Sequence, residues 1–483
     1  MTRHRAQRPH NDDPIPASAR AGVSRGLVAI VGRPNVGKST LFNRLAGAKI
    51  AIVHDEPGVT RDRNYADAFA RGVEYTIVDT GGFDPESDDP MRKGIKRHVQ
   101  VAIEEADVIV CVLDGSMEPT AADREAVKLL RKSQKPVIYA ANKADSQAAE
   151  LEAAAVYRLG IPKIFPVSAL HGRGFADLEE AIVEALPAYE DRELPGVGDD
   201  VPRIALIGRP NAGKSSLLNR MLGTERSLVD DRPGTTRDTV DALVKVKRKA
   251  VSPTGERSND GEETEQALVV LDTAGIRRKS RVSETVESVS VLRAIRAIER
   301  AEVVVLMCDA GEGVAEQDAK ILGLAVERGR GVVIALNKTD LLDKKALAKA
   351  EESAREKLSF TPWAPVERLS VKTGRGVNNL VDRIVHVRKE WTKRIGTGEL
   401  NRFFAEVLET HPPPTMGGRA VRLYYITQAE SRPPTFVVQT NEPENVHFSY
   451  QRFIQNQIRK RFGFEGTPIR IRYRRKRRRG EEA

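Results

Sequence analysis

One nine-residue phrase occurs twice. GRPNVGKST runs from Gly32 to Thr40 and GRPNAGKSS from Gly208 to Ser216. Each fits G-x-x-x-x-G-K-[ST], after an apolar run and before a helical pattern. Such a loop closes backbone N–H groups around phosphate oxygens, sends its lysine to the β- and γ-phosphates and offers the next hydroxyl to Mg2+. The helix that starts there adds the positive end of its dipole. The constraint on the fold is severe: a strand, a tight glycine turn and a helix must follow one another, and must do so twice. Over 32–47 and 208–223, 11 of 16 positions are identical. Further echoes keep the same order: PGVTRD (57–62) and PGTTRD (233–238), VDTGG (78–82) and LDTAG (271–275), NKAD (142–145) and NKTD (337–340), VSAL (167–170) and LSVK (369–372). A repeat offset of 176 residues is a duplicated domain rather than a solenoid unit.

Each copy alternates apolar, β-branched runs with helical stretches. The first has LVAIVG, EYTIVDT, DVIVCVLD, PVIYAANK and KIFPVS; the second has RIALIG, ALVVLDT, VVVLMCD, GVVIALNK and PVERLS. Continuous apolar strands suit a parallel sheet covered by helices on both faces. The fold class is therefore α/β: two consecutive P-loop domains, each a parallel-rich sheet flanked by helices, with a small α+β domain after them. The expected division is a basic, disordered tail over 1–26, domains over 27–187 and 201–390, an acidic linker over 188–200, a small domain over 391–475 and a basic end over 476–483. The second copy has 17 extra residues between its lysine and its Asp-Thr pair, and they read as a surface hairpin loop near 251–266.

Several classes of protein are excluded early. No run of about 18 apolar residues exists, so no bilayer span and no membrane partner is expected. The first 26 residues lack an apolar signal region, and Pro9, Pro14 and Pro16 break any amphipathic leader helix. The two cysteines, Cys111 and Cys308, sit in apolar runs and read as buried thiols in a reducing, cytoplasmic setting. Of the net +10, the segment 391–483 supplies +9, from 18 Lys/Arg against 9 Asp/Glu. A basic C-terminal fifth points to a polyanion partner, RNA before others.

The other motifs specify the nucleotide. Asp79 and Asp272 close apolar strands, and a carboxylate at that strand edge faces a bound nucleotide and its Mg2+. Thr60 and Thr236, each 22 residues after its lysine, lie in loops able to close on the metal when the third phosphate is present. Asp145 and Asp340 can accept hydrogen bonds from guanine N1–H and its 2-amino group. Adenine offers neither donor and would leave a carboxylate unpaired, at roughly 1–3 kcal/mol. The substrate is therefore GTP, and the product GDP.

These residues resemble a tandem GTPase of the EngA/Der type, also called double-Era-like, within the TrmE-Era-EngA group. The likeness covers about residues 27–475. The first candidate GTP site comprises Gly32, Arg33, Pro34, Asn35, Val36, Gly37, Lys38, Ser39, Asp79, Thr80, Gly81, Gly82, Phe83, Asn142, Lys143, Ala144, Asp145, Ser168 and Ala169. The second comprises Gly208, Arg209, Pro210, Asn211, Ala212, Gly213, Lys214, Ser215, Asp272, Thr273, Ala274, Gly275, Ile276, Asn337, Lys338, Thr339, Asp340, Ser370 and Val371. Mg2+ falls to Ser39, Thr60 and Asp79, and to Ser215, Thr236 and Asp272. Ras-type GTPases orient the attacking water with a glutamine; Phe83 and Ile276 stand there instead. The resemblance implies that K+ supplies charge at the phosphates, held by Asn35 and Asn211, whose other reading is a brace within the loop.

Beyond residue 390 the pattern reads α-β-β-α-β, similar to the KH-like domain of the same family. Its GFEG (463–466) has the letters of an RNA-clamping G-x-x-G loop but lies between a helix and a strand, so a helix C-cap turn is expected. Arg470, Arg472, Arg474, Arg475, Lys476, Arg477, Arg478 and Arg479 are the candidate RNA contacts. The resemblance implies an assembly factor for the large (50S) ribosomal subunit, monomeric, whose domains rearrange with the state of GTP. Two other readings are a GTPase associated with RNA modification and a nucleotide-dependent RNA-binding scaffold with little turnover.

Overall fold

The computed structural model describes residues 26–47, 65–80, 99–100, 102–145, 153–187, 198–223, 241–249, 263–273, 287–414 and 420–475. They form two compact units, one built on the first P-loop copy and the other on the second copy with the C-terminal domain.

In the first unit the chain runs β1 (Leu27–Val31), α1 (Lys38–Ala46), β2 (Tyr65–Ala70), β3 (Val73–Asp79), β4 (Val108–Asp114), α2 (Ala121–Leu130), β5 (Val137–Asn142), β6 (Ile164–Val167) and α3 (Phe175–Ala185). The sheet order is β2-β3-β1-β4-β5-β6. Only β2 runs antiparallel to its neighbour. All seven residues of β4 are buried because both sheet faces are covered. Successive side chains alternate between the faces: Val28 and Ile30 enter one core, Ala29 and Val31 the other.

The second copy repeats this plan. It comprises β7 (Arg203–Ile207), α4 (Lys214–Leu222), β8 (Ala242–Lys249), β9 (Glu263–Val270), α5 (Glu287–Arg300), β10 (Val303–Asp309), α6 (Glu316–Glu327), β11 (Gly331–Asn337), α7 (Lys344–Lys357), β12 (Val366–Arg368) and α8 (Val377–Thr392). Its order, β12-β11-β10-β7-β9-β8, is the first sheet read from the other edge. Cys111 and Cys308 are free and buried, as expected. Among the described residues no helix is long and apolar enough to cross a membrane.

Three sequence readings need correction. β2 and β8 were not among the expected strands; YADAFA is alanine-rich, and ALVKVKRK ends in charge. Both are antiparallel edge strands in which only alternate residues, Ala68 and Ala70 in β2 and Ala242, Val244 and Val246 in β8, enter the core, so neither shows an unbroken apolar run. The expected hairpin loop near 251–266 ends too late, since Glu263–Gln266 belong to β9 and pair with 246–249. Residues 250–262 lie outside the described set. Finally, α8 runs straight through the expected boundary at 390/391.

The small domain follows as α9 (Thr397–Thr410), β13 (Leu423–Ser431), β14 (Pro434–Thr440), α10 (Phe448–Phe462) and β15 (Arg470–Arg475), the α-β-β-α-β order read from sequence. Both helices cover one face of a sheet ordered β13-β14-β15, around Phe404, Phe436, Ile454 and Phe464. The GFEG turn caps α10, with Gly463 at φ 89°, Phe464 at 67° and Gly466 at 67°. It also rivets this domain to the second copy. Val332 N–H in β11 donates to Gly466 O at 2.7 Å, and Gly466 N–H donates to Trp363 O at 2.9 Å. Arg383 meets Glu465 at 3.0 Å, and Trp391 Nε1–H donates to Gly329 O at 2.7 Å.

Candidate functional site: two nucleotide cradles

Each phosphate loop leaves a buried strand and bends by backbone conformations that few residues adopt. Asn35 and Asn211 both sit at φ 65°, while Gly37 and Gly213 are left-handed at φ 90° and 104°. A Cβ on Gly37 would lie 2.2 Å from Asn142 Nδ2, and one on Gly213 would lie 2.1 Å from Asn337 Nδ2. Glycine is required there by contact as well as by torsion. The helices α1 and α4 then begin at Lys38 and Lys214 with their first N–H groups turned to the loop.

The asparagines of NKAD and NKTD close each cradle from the side. Asn142 Nδ2 donates to Val36 O at 2.8 Å, and its Oδ1 accepts from Ala169 N–H at 2.9 Å. Asn337 repeats this with Ala212 O at 2.9 Å and Val371 N–H at 3.0 Å. Both asparagines are buried, so each amide ties the phosphate loop to the loop after the last strand. A lost partner there would leave buried backbone groups unsatisfied, at about 1–3 kcal/mol each.

The aspartates of NKAD and NKTD are held by the next motif. Ser168 Oγ–H donates to Asp145 Oδ1 at 2.6 Å. Asp340 is held below the usual carboxylate range chiefly by a hydrogen bond from Ser370. The lysines between are anchored by groups that the sequence reading did not single out. Lys143 Nζ meets Asp114 at 2.7 Å and Lys338 Nζ meets Asp309 at 2.6 Å. Burial alone would push both aspartates up; the hydrogen bond from the lysine, with hydroxyl or backbone donors, outweighs it and leaves both low. The signal was present: VIVCVLD and VVVLMCD both end in aspartate, 29 residues before the lysine in each copy. With its head anchored, the lysine presents its aliphatic stem.

At the phosphate end, Lys38 Nζ–H donates to Arg33 O at 3.0 Å, and Lys214 Nζ–H to Arg209 O at 2.6 Å. Burial pushes the Lys38 ammonium down, Asp79 partly restores it, and Arg33 lowers it again. Ser39 Oγ–H donates to Asp79 Oδ2 at 2.8 Å. A hydroxyl and a carboxylate at one point form a hard oxygen pair of the kind Mg2+ takes. The second copy differs. Asp272 sits at φ 56°, and its N–H donates to Asp241, which is ion-paired with Arg300. The arginines of the loops face acids rather than open space: Arg33 meets Asp114 at 3.2 Å and Arg209 meets Asp318 at 3.0 Å. Gly32, Pro34, Thr80, Ala144, Gly208, Pro210, Ser215, Thr273 and Thr339 complete the described parts of the cradles. Thr60, Gly81, Gly82, Phe83, Thr236, Ala274, Gly275 and Ile276 lie outside the described residues.

The candidate RNA residues divide. Arg470 donates to Glu327 O of the second copy and is taken up by that junction. Arg472 and Arg475 pair loosely with Glu430 and Glu442, at 3.7 and 3.8 Å. Arg474 is exposed, and Lys476 to Arg479 lie outside the described residues.

Paired P-loop sheets with a guanine-type NKxD motif at each define a tandem GTPase, an enzyme that hydrolyses GTP. Comparison with known proteins agrees with this class. The family model described as "50S ribosome-binding GTPase" matches 27–143 and 203–338, and that of the "KH-domain-like of EngA bacterial GTPase enzymes, C-terminal" matches 394–474. GTPase Der of Geotalea daltonii is 45% identical over 447 residues, 92% of this chain and 97% of the relative. GTPase Der of Moorella thermoacetica is 46% identical over 455 residues, 94% and 99%. The chain belongs to the GTPase Der family.

Proposed function

We propose that both copies bind and hydrolyse GTP with Mg2+, and that this cycle drives assembly of the large ribosomal subunit in the cytoplasm, by a monomer. The observation that carries the nucleotide part is the twinned asparagine tie, which holds phosphate loop and base loop in one frame in each copy. In this reading the loop amides and Lys38 or Lys214 bind the β- and γ-phosphates. Asp145 and Asp340 read the guanine edge, and the stems of Lys143 and Lys338 cover its ring. Ser39 with Asp79, and Ser215 with Asp272, hold Mg2+, which neutralises phosphate charge; Thr60 and Thr236 join them when the γ-phosphate is present. Loss of that phosphate frees those loops and shifts the domains.

Asn35 and Asn211 are proposed to hold K+ near the phosphates. Their φ of 65° offers a separate reason for asparagine, which tolerates the left-handed region. Turnover in KCl against NaCl and LiCl separates the two: equal rates leave only the backbone reason. The ribosomal target rests on the matched family model's name and on the basic C-terminal fifth. Co-sedimentation with large subunits, in a non-hydrolysable GTP analogue against GDP, tests it. Nucleotide-dependent pelleting is expected, and pelleting equal in both states removes the switch.

A further inference from the structure

We infer that the uncovered face of the C-terminal sheet is a stacking platform for single-stranded RNA, separate from the GFEG turn. The inference rests on the proposed RNA partner and names where on this domain a strand lies. The register fixes which side chains share that face. Tyr425 is opposite Gln439, and Gln439 is opposite Arg474; one row on, Thr427, Val437 and Arg472 align. The intervening residues, Ile426, Val438 and Phe436, are buried in the core under α9 and α10. Alternation therefore turns the Tyr425–Gln439–Arg474 row to the other side.

That row is available. Tyr425 is 38% exposed and its neighbour Tyr424 44%. The ladder is irregular between Leu423 and Tyr425, the kind of bulge that re-aims side chains. Among the described residues the Arg474 side chain makes no ion pair or side-chain hydrogen bond. The opposite end of the same strand is closed, since Arg470 is bonded to Glu327 O. Strand spacing makes the row roughly 10 Å long, room for a base with its sugar and phosphate. The tyrosine supplies a ring for stacking, the glutamine amide a donor and acceptor for base edges, and the guanidinium a phosphate partner. Charge favours a polyanion over a protein: Lys476, Arg477, Arg478 and Arg479 follow β15 in the sequence. Stacking on Tyr425 selects an unpaired strand, because duplex faces are already stacked.

The test is fluorescence anisotropy on the full chain, with a short labelled oligouridylate and a blunt RNA duplex, across a salt series. Tyr425→Ala is expected to weaken oligouridylate binding roughly five- to hundredfold, with duplex binding within about twofold, while Tyr425→Phe binds as the parent does. Replacing Lys476–Arg479 with alanine is expected to weaken both ligands and flatten the salt slope. GTP turnover reports folding of each variant. If Tyr425→Ala and Arg474→Ala bind oligouridylate like the parent while the tail variant loses it, the platform is wrong and the tail alone binds. Equal loss of both ligands in Tyr425→Ala also overturns the platform. A parent protein that binds neither RNA overturns the RNA-partner reading itself.

Discussion

The two GTPase copies keep one interior and differ at their margins. The Asn142 and Asn337 ties agree to within 0.1 Å, and the Lys143–Asp114 and Lys338–Asp309 anchors agree equally well. Around them the copies diverge. Asp79 accepts from Ser39, while Asp272 is drawn into a left-handed bend against Asp241 and Arg300. More telling is β11. Asn337 closes a nucleotide cradle at one end of that strand, and Val332 N–H holds the C-terminal domain at the other. Five residues of strand span about 17 Å. The two copies share their interior ties and anchors, while their edges make different bonds.

The comparison can be broken most severely at the shared interior. Asn142→Ala or Asn337→Ala removes two buried hydrogen bonds, so each is expected to cost its own copy about 2–6 kcal/mol. Calorimetric melting should show one copy destabilised and the other unmoved; unequal costs would mean the interiors are not equivalent. Next come Asp145 and Asp340, the proposed base readers. Asp145→Asn and Asp340→Asn are each expected to weaken GTP about 10- to 100-fold at one copy. Titration calorimetry should then count one tight site instead of two.

The margins respond less. Gly466→Ala puts a Cβ 2.4 Å from Val387 Cγ2 at φ 67°, which costs roughly 1–2 kcal/mol. Hydrogen exchange should rise at Val332 and across α10, and stay unchanged in the first copy. The smallest effect is on acid stability. Asp114 and Asp309 have folded pKa values below the ordinary carboxylate value of about 4. Their contribution is thus fully present above that value and fades as pH falls through the folded ones. Asp114→Asn and Asp309→Asn should each flatten the stability profile below about pH 4, by the same amount if the anchors are equivalent.

Much of this architecture was legible because its physics is local. A glycine turn joining an apolar strand to a helix declares itself in nine residues, and buried parallel strands declare themselves by unbroken apolar runs. What escaped depends on neighbours far along the chain. β2 and β8 bury only alternate residues and pair with one neighbour each, so they lack the unbroken apolar run of an inner strand. Asp114 and Asp309 looked like strand ends until the fold brought Lys143 and Lys338 against them. Arg470 reads in sequence as one more cation of a basic run, and only its packing shows that it serves the junction with Glu327.

Helix α8 has a practical consequence. It begins among core residues of the second copy, Leu380, Val381, Ile384 and Val387, and ends with the buried indole of Trp391 pinned to Gly329. Truncation at the compositional break would therefore sever a continuous spring of backbone and strand an unpaired indole on the fragment. For fusion, excision or module exchange, the indivisible cassette is the whole stretch from 201 to 475.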